Sequence, residues 1–194
     1  MRNPGAVTWL SSALMLGGTA VLGWHFWTLH EAATAQRLAK TWLNRTAAAD
    51  RSTPPPVSNN KSIRRGDVIG ELSIPRLQIS VMVFEGDDAR VLKFGAGHIP
   101  GTAFPQGSGN VGIAAHRDTY FRALQGLQSN DRIYLRTPGG TWRYSVTKTE
   151  IVSPSDVGVL ARAPERDLTL VTCYPFYYVG SAPKRFIALA RKVQ

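Results

Sequence analysis

LTLVTCYPFYYVGSAPKRF, residues 168–186, is the stretch on which the reading of this chain turns. Its opening, LTLVTC, is a short apolar run that reads as a buried strand, and RFIALARKV, residues 185–193, supplies the next one. Cys173, the single cysteine of the chain, ends the first strand, and Arg185 opens the second. If the two strands pair, the Arg185 guanidinium comes towards the thiol, whereas Lys184 alternates to the other face. A lone cysteine is by itself most simply a small buried hydrophobe. Compartment changes that weighting. Outside the cytoplasm a single thiol has no intramolecular partner, and an exposed one invites oxidation or mispairing.

The N-terminus bears on the compartment. Residues 6–29, AVTWLSSALMLGGTAVLGWHFWTL, carry no Asp, Glu, Lys or Arg. About 20 such residues cross a hydrocarbon core as a helix. Trp24 and Trp27 fall where an interfacial aromatic belt sits, with Arg2 before the span and Glu31 after it, so a cytoplasmic N-terminus and an extracytoplasmic remainder are expected. The competing reading is a cleaved signal peptide, since Ala33-Thr34-Ala35 resembles a cleavage site. A signal core is shorter than this run, which favours the uncleaved single-pass anchor.

At 194 residues and 43% hydrophobic composition, the chain has room for one buried domain plus an appendage. The formal net charge of +10 is spread along it with no basic run longer than a pair and no nucleic-acid motif. No nucleic-acid partner is expected; an anionic envelope surface, or merely solvent, faces these cations.

Three regions follow: residues 1–30 as the membrane anchor, 31–65 as a helical stalk and linker, and 66–194 as the folded domain. Leu38 and Trp42 recur at helical spacing in the stalk, and RSTPPPVSNNKS, residues 51–62, reads as an extended linker. Beyond Gly66 the pattern is short strands. GDVIGELSIP and LQISVMVFEG pair around Pro75, GNVGIAAH holds a buried strand, and DRIYLRT with TWRYSVTKTEIV flanks a Pro-Gly-Gly turn as a hairpin. ALQGLQ and DVGVL suit only short helices. Seven or eight strands make a mainly β domain with an antiparallel-dominated barrel or sandwich, which pattern alone does not separate.

A thiolate nucleophile needs a general base or a cationic neighbour, because a free thiol ionises only near about 8.5. Two histidines lie in the folded domain. His116 ends the strand VGIAA and enters a loop, where catalytic groups are commonly displayed; His98, in GAGHIPG, reads as a loop residue near the site. The fork of donors on Arg185 suits a developing oxyanion or a substrate carbonyl. No His/Cys cluster for zinc is present. Asp156, Glu165 and Asp167, in the loop before the cysteine strand, are the carboxylates to weigh for calcium. Scattered as they are, they read as solvated surface, and no required cofactor is expected.

TLVTC, residues 169–173, resembles the TLxTC signature of sortases, the cysteine transpeptidases of the cell envelope. GNVGIAAHRDTYFRAL resembles the histidine segment of that family and KRFIALA its arginine strand, in the same order along the chain. The likeness runs from about Gly66 to the C-terminus and is strongest to the class D group through the CYPF continuation. It implies an eight-stranded β-barrel with Cys173 as nucleophile, His116 as acid and base, and Arg185 stabilising the acylation intermediate. It further implies cleavage of LPxTG-like sorting signals on secreted proteins and transfer to an amine acceptor, a cell-wall precursor or a pilin lysine. Thr172, Thr169, His98 and Tyr174 are candidates for shaping the substrate pocket. The aromatic set Tyr174, Phe176, Tyr177 and Tyr178 either lines a groove or packs on the barrel. Ala115 stands where many relatives carry glycine, and its methyl is expected to narrow the approach to His116. The rivals are a cysteine peptidase that only hydrolyses and a noncatalytic anchored domain that binds peptide.

Overall fold

A computed structural model describes residues 4–49, 63–160 and 167–193. The chain opens with helix α1 (Pro4–Ala49), continues through β1 (Val68–Ile74) and β2 (Ile79–Glu85), then helix α2 (Ala89–Phe94), β3 (Ala96–His98) and β4 (Val111–Ala114). It closes with β5 (Arg132–Thr137), β6 (Gly140–Val152), β7 (Asp167–Tyr174) and β8 (Lys184–Val193). Short 3-10 turns cover Arg122–Gly126 and Val157–Leu160, the two stretches expected to hold only brief helices.

The strands form a closed barrel in the order β1-β2-β3-β4-β7-β8-β6-β5, with β5 returning to β1. Closure settles the choice between barrel and sandwich and removes the open edges that a sheet must otherwise protect. The two hairpins stand where turn chemistry placed them, Ile74↔Ile79 around Pro75 and Thr137↔Gly140 at the Pro-Gly-Gly turn. Pairing is antiparallel except β2 with β3 and β4 with β7. Alternate residues, among them Leu72, Ile74, Val83, Ile113, Leu135, Leu168, Leu170 and Ala188, fill the interior and are fully buried.

Beyond the exposed Ser80, β2 is buried on both faces, which explains its apolar run VMVF. Val81 and Val83 point inward, while Met82 and Phe84 meet Ala39, Leu43 and Val91 in a second cluster under α1. The stalk portion of α1 therefore lies on the barrel. Its inward face is Ala39 and Leu43, whereas Leu38 and Trp42, the spacing legible in sequence, are exposed. Polar contacts fix that rotation. Gln36 accepts from Met82 N (2.9 Å) and donates to Phe94 O, Lys93 reaches Glu31 (2.7 Å), and Arg136 donates to Asn44 (2.8 Å). At Gly95 an added Cβ would lie 2.5 Å from Met82 O and 2.6 Å from Gln36 Nε2, so this contact needs glycine.

Glu71 joins helix and barrel, accepting from Lys40 (2.6 Å), Ser80 (2.8 Å) and Arg136 (2.6 Å). Burial alone would raise its carboxyl, but these three donors outweigh that cost and hold it below the usual carboxylate range.

Among the described residues no helix is long and apolar enough to cross a membrane. The stretch 6–29, expected to span, is helical throughout. The proline-rich stretch 51–62 lies outside the described residues.

Candidate active site

Strand register assembles the site. β4 and β7 run side by side in parallel from Val111↔Leu168 to Ala114↔Val171, and continuing that register by two residues sets His116 beside Cys173. The backbone stays aligned past the last ladder pair. Ala115 N donates to Val171 O (3.2 Å), and Thr172 Oγ1 donates to Ala115 O (2.7 Å). On the far side of β7, Cys173 pairs directly with Arg185 of β8. Neighbouring strands lie about 4.8 Å apart, so His116, Cys173 and Arg185 form one row across three strands with the sulfur in the middle.

Face follows from alternation. Leu168, Leu170 and Thr172 of β7 are buried inwards, so Cys173 projects outwards, and residues paired across a ladder share its face. All three side chains line one cavity of about 330 Å³ on the outside of the barrel. Val152, Val171 and Ile187 give it an apolar floor, with Leu92 and Leu160 at its walls. An apolar recess with a few convergent polar groups is the usual build of a ligand site.

The row is largely uncommitted. Among the described residues, neither the Cys173 thiol nor the His116 imidazole has a hydrogen-bond partner, and both residues are half-buried. The backbone of His116 is fixed nonetheless, its carbonyl accepting from Phe121 N (3.0 Å). Arg185 donates from Nη1 to Lys184 O (3.0 Å) and Ala182 O (3.3 Å), which orients the guanidinium while leaving Nε and Nη2 available.

The other residues nominated from sequence lie elsewhere or serve the frame. His98 belongs to β3 rather than a loop, is fully buried, and does not line the cavity. Its Nδ1 meets Glu85 (2.7 Å), its Nε2 meets Ala103 O (3.0 Å) and Thr102 Oγ1 (3.1 Å), and its ring stacks on Phe104. Thr169 is on the same strand face as Cys173 but four residues away, about 13 Å along the strand. There it exchanges hydrogen bonds with Asn110 (2.8 and 3.0 Å), beside a different cavity. Thr172 borders the cavity that holds the row and ties β7 to β4 through its hydroxyl. Tyr174 sits edge-on to Phe176, which in turn packs on Phe186, so this part of the aromatic set covers the barrel end.

Ala115 is buried in the core cluster and also borders the cavity that His116 lines. Of the carboxylates weighed for calcium, Asp156 borders the cavity, Asp167 opens β7, and Glu165 lies outside the described residues. Leu92 and Asp87 of the cavity wall escaped the sequence reading because α2 has only six residues; its signal was Asp88, whose side chain caps Arg90 N and Val91 N.

A closed eight-stranded barrel carrying a thiol between an imidazole and a guanidinium on its outer face defines a narrow class of protein. The family model for the sortase domain matches residues 72–193, and the chain belongs to the sortase family. It is 37% identical to Sortase D of Bacillus subtilis over 129 residues, 66% of this chain and 65% of that protein. It is 28% identical to Sortase A of Listeria monocytogenes over 63% of this chain and 55% of that one. The chain thus matches somewhat less than two thirds of the length of these curated relatives. Among solved structures, a Clostridium perfringens Sortase D5 transpeptidase superposes with a TM-score of 0.69 at 26% identity, covering 84% of this chain and 98% of that one.

Proposed function

We propose that this chain is a membrane-anchored cysteine transpeptidase that cuts an LPxTG-like sorting signal and passes the acyl fragment to an amine. The observation that carries the reading is the row itself, with Cys173 between His116 and Arg185 in one cavity. In this mechanism the Cys173 thiol passes its proton to His116, the sulfur attacks the scissile backbone carbonyl, and Arg185 donates hydrogen bonds to the oxyanion that forms. His116 gives a proton to the departing amine as the C–N bond breaks, leaving a thioester on Cys173. The acceptor amine then attacks the thioester, His116 takes its proton, and the thiol is released. The chemical steps use side chains alone. Likeness to Sortase D and to a Sortase D5 transpeptidase supports placement near class D.

The anchor reading rests on the charge-free residues 6–29 and on the exposure of Trp9, Leu14, Leu16, Trp24 and Trp27, which no other element covers among the described residues. The N-terminus is then cytoplasmic and the barrel extracytoplasmic, where tethering concentrates the protein near substrates that are themselves held at the membrane. Chromatography of a sorting peptide incubated with the full chain, with and without a primary amine, tests the function. Ligated product in proportion to the amine is expected. Hydrolysed product at every amine concentration would make the chain a peptidase, and no turnover would leave a peptide-binding domain.

A further inference from the structure

Residues 175–183 join β7 to β8 beside the row, and two arginines hold this connection, Arg117 at its middle and Arg185 at its β8 end. Arg117, the residue after His116, donates from Nη2 to Tyr178 O (2.6 Å) and Gly180 O (3.0 Å), and its guanidinium lies 5.8 Å from the centre of the Tyr178 ring. The turn that presents both carbonyls to one guanidinium uses Gly180 at φ +95°, a conformation suited to glycine. Two residues on, Ala182 O and Lys184 O hold Nη1 of Arg185. Between the two acceptors of Arg117 the tip, Val179, is 99% exposed and gains nothing from packing. The same segment clasps the connection twice more, with Arg122 over the Tyr177 ring (5.5 Å) and Gln125 Nε2 donating to Tyr177 OH (2.9 Å).

We propose that Arg117 is a positioning residue that aims Arg185 at the carbonyl bound over Cys173 by fixing the β7–β8 connection. Arg117 touches no reacting atom. It ties the loop that carries His116 to the loop that carries Ala182, one of the two acceptors of Arg185, the other being Lys184 at the start of β8, so base and electrophile keep their spacing about the sulfur. The carbonyls of residues 182 and 184 occupy Nη1 and leave Nε and Nη2 as a two-donor fork, which is useful only if those carbonyls stay in place. Beyond Phe176, which packs on Phe186, the connection is exposed, and such a segment opens easily once its polar ties are cut. A misplacement of an ångström in a catalytic group is costly in rate.

The inference rests on the proposed role of Arg185, and the test separates the two. Single-turnover acylation by an LPxTG-type peptide is measured for the full chain in detergent micelles as wild type, Arg117→Ala, Arg185→Ala and the double variant. Arg117→Ala is expected to lower the acylation rate about tenfold with an unchanged melting temperature, and to add no further loss to Arg185→Ala. Arg117→Lys, able to reach one carbonyl but not to bridge both, should recover part of the rate. An Arg117→Ala rate equal to wild type, or an equal fold-loss in both backgrounds, overturns the positioning role while leaving that of Arg185 intact. An Arg185→Ala rate equal to wild type removes both.

Discussion

The two outer faces of the barrel treat their polar side chains in opposite ways. Where α1 lies on β1 and β2, Gln36, Lys40 and Glu71 are each bonded to the neighbouring element, and Glu71 alone takes three donors. Across the barrel on β4, β7 and β8, Cys173 and His116 have no partners among the described residues. The two histidines of the domain repeat the contrast: His98 is sealed and bonded at both nitrogens, whereas His116 faces a cavity. Saturated polar groups specify packing, because a buried group left unpaired is expensive. Uncommitted groups in a recess are what the proposed function requires for a substrate.

The contrast breaks most visibly at the row. His116→Ala and Arg185→Ala should each lower acyl transfer by about two to three orders of magnitude, as loss of an acid–base group or an oxyanion donor does. Melting curves should stay at the wild-type temperature, and a large shift there would mean that these side chains belong to the frame. On the other face, Leu43→Ala removes a fully buried side chain from the helix contact. It should cost about 2–5 kcal/mol of stability by denaturant titration while turnover of a soluble peptide persists. Unchanged stability would mean that α1 is not fixed to the barrel in solution.

The smallest expected effect is a pH dependence. The Glu71 carboxyl is held below its ordinary value of 4.5, so its stabilisation is complete above that pH and is lost as pH falls through the lower folded value. Acid titration followed by Trp42 emission, close to the contact, should show loosening below about pH 4.5. Glu71→Gln should remove that component, and an identical titration in the variant would place the acid response elsewhere.

Much of this was legible in the amino-acid order. Alternation and turn residues marked both hairpins, and the ends of LTLVTC and KRFIALA foretold the Cys173–Arg185 pair before any register was known. Closure was not legible, because the β1–β5 pairing joins residues some sixty positions apart and leaves no local trace. The three-residue β3 hid inside GAGH for want of a period to detect, and His98 was misplaced with it. The stalk showed a second difficulty. Leu38 and Trp42 have the right spacing for a packed stripe, yet Ala39 and Leu43 form it, since the rotation is set by Gln36 and Lys40 reaching partners on the barrel. Thr169 was misjudged because sequence proximity to Cys173 does not say how far along a strand a side chain falls.

The intact mass of the protein after incubation with a sorting-type peptide and no amine puts the central claim to the most direct test. The account predicts a covalent gain equal to the N-terminal peptide fragment, located on Cys173, discharged by an added amine and absent from Cys173→Ala. An unmodified protein, or an adduct that persists in Cys173→Ala, would contradict it.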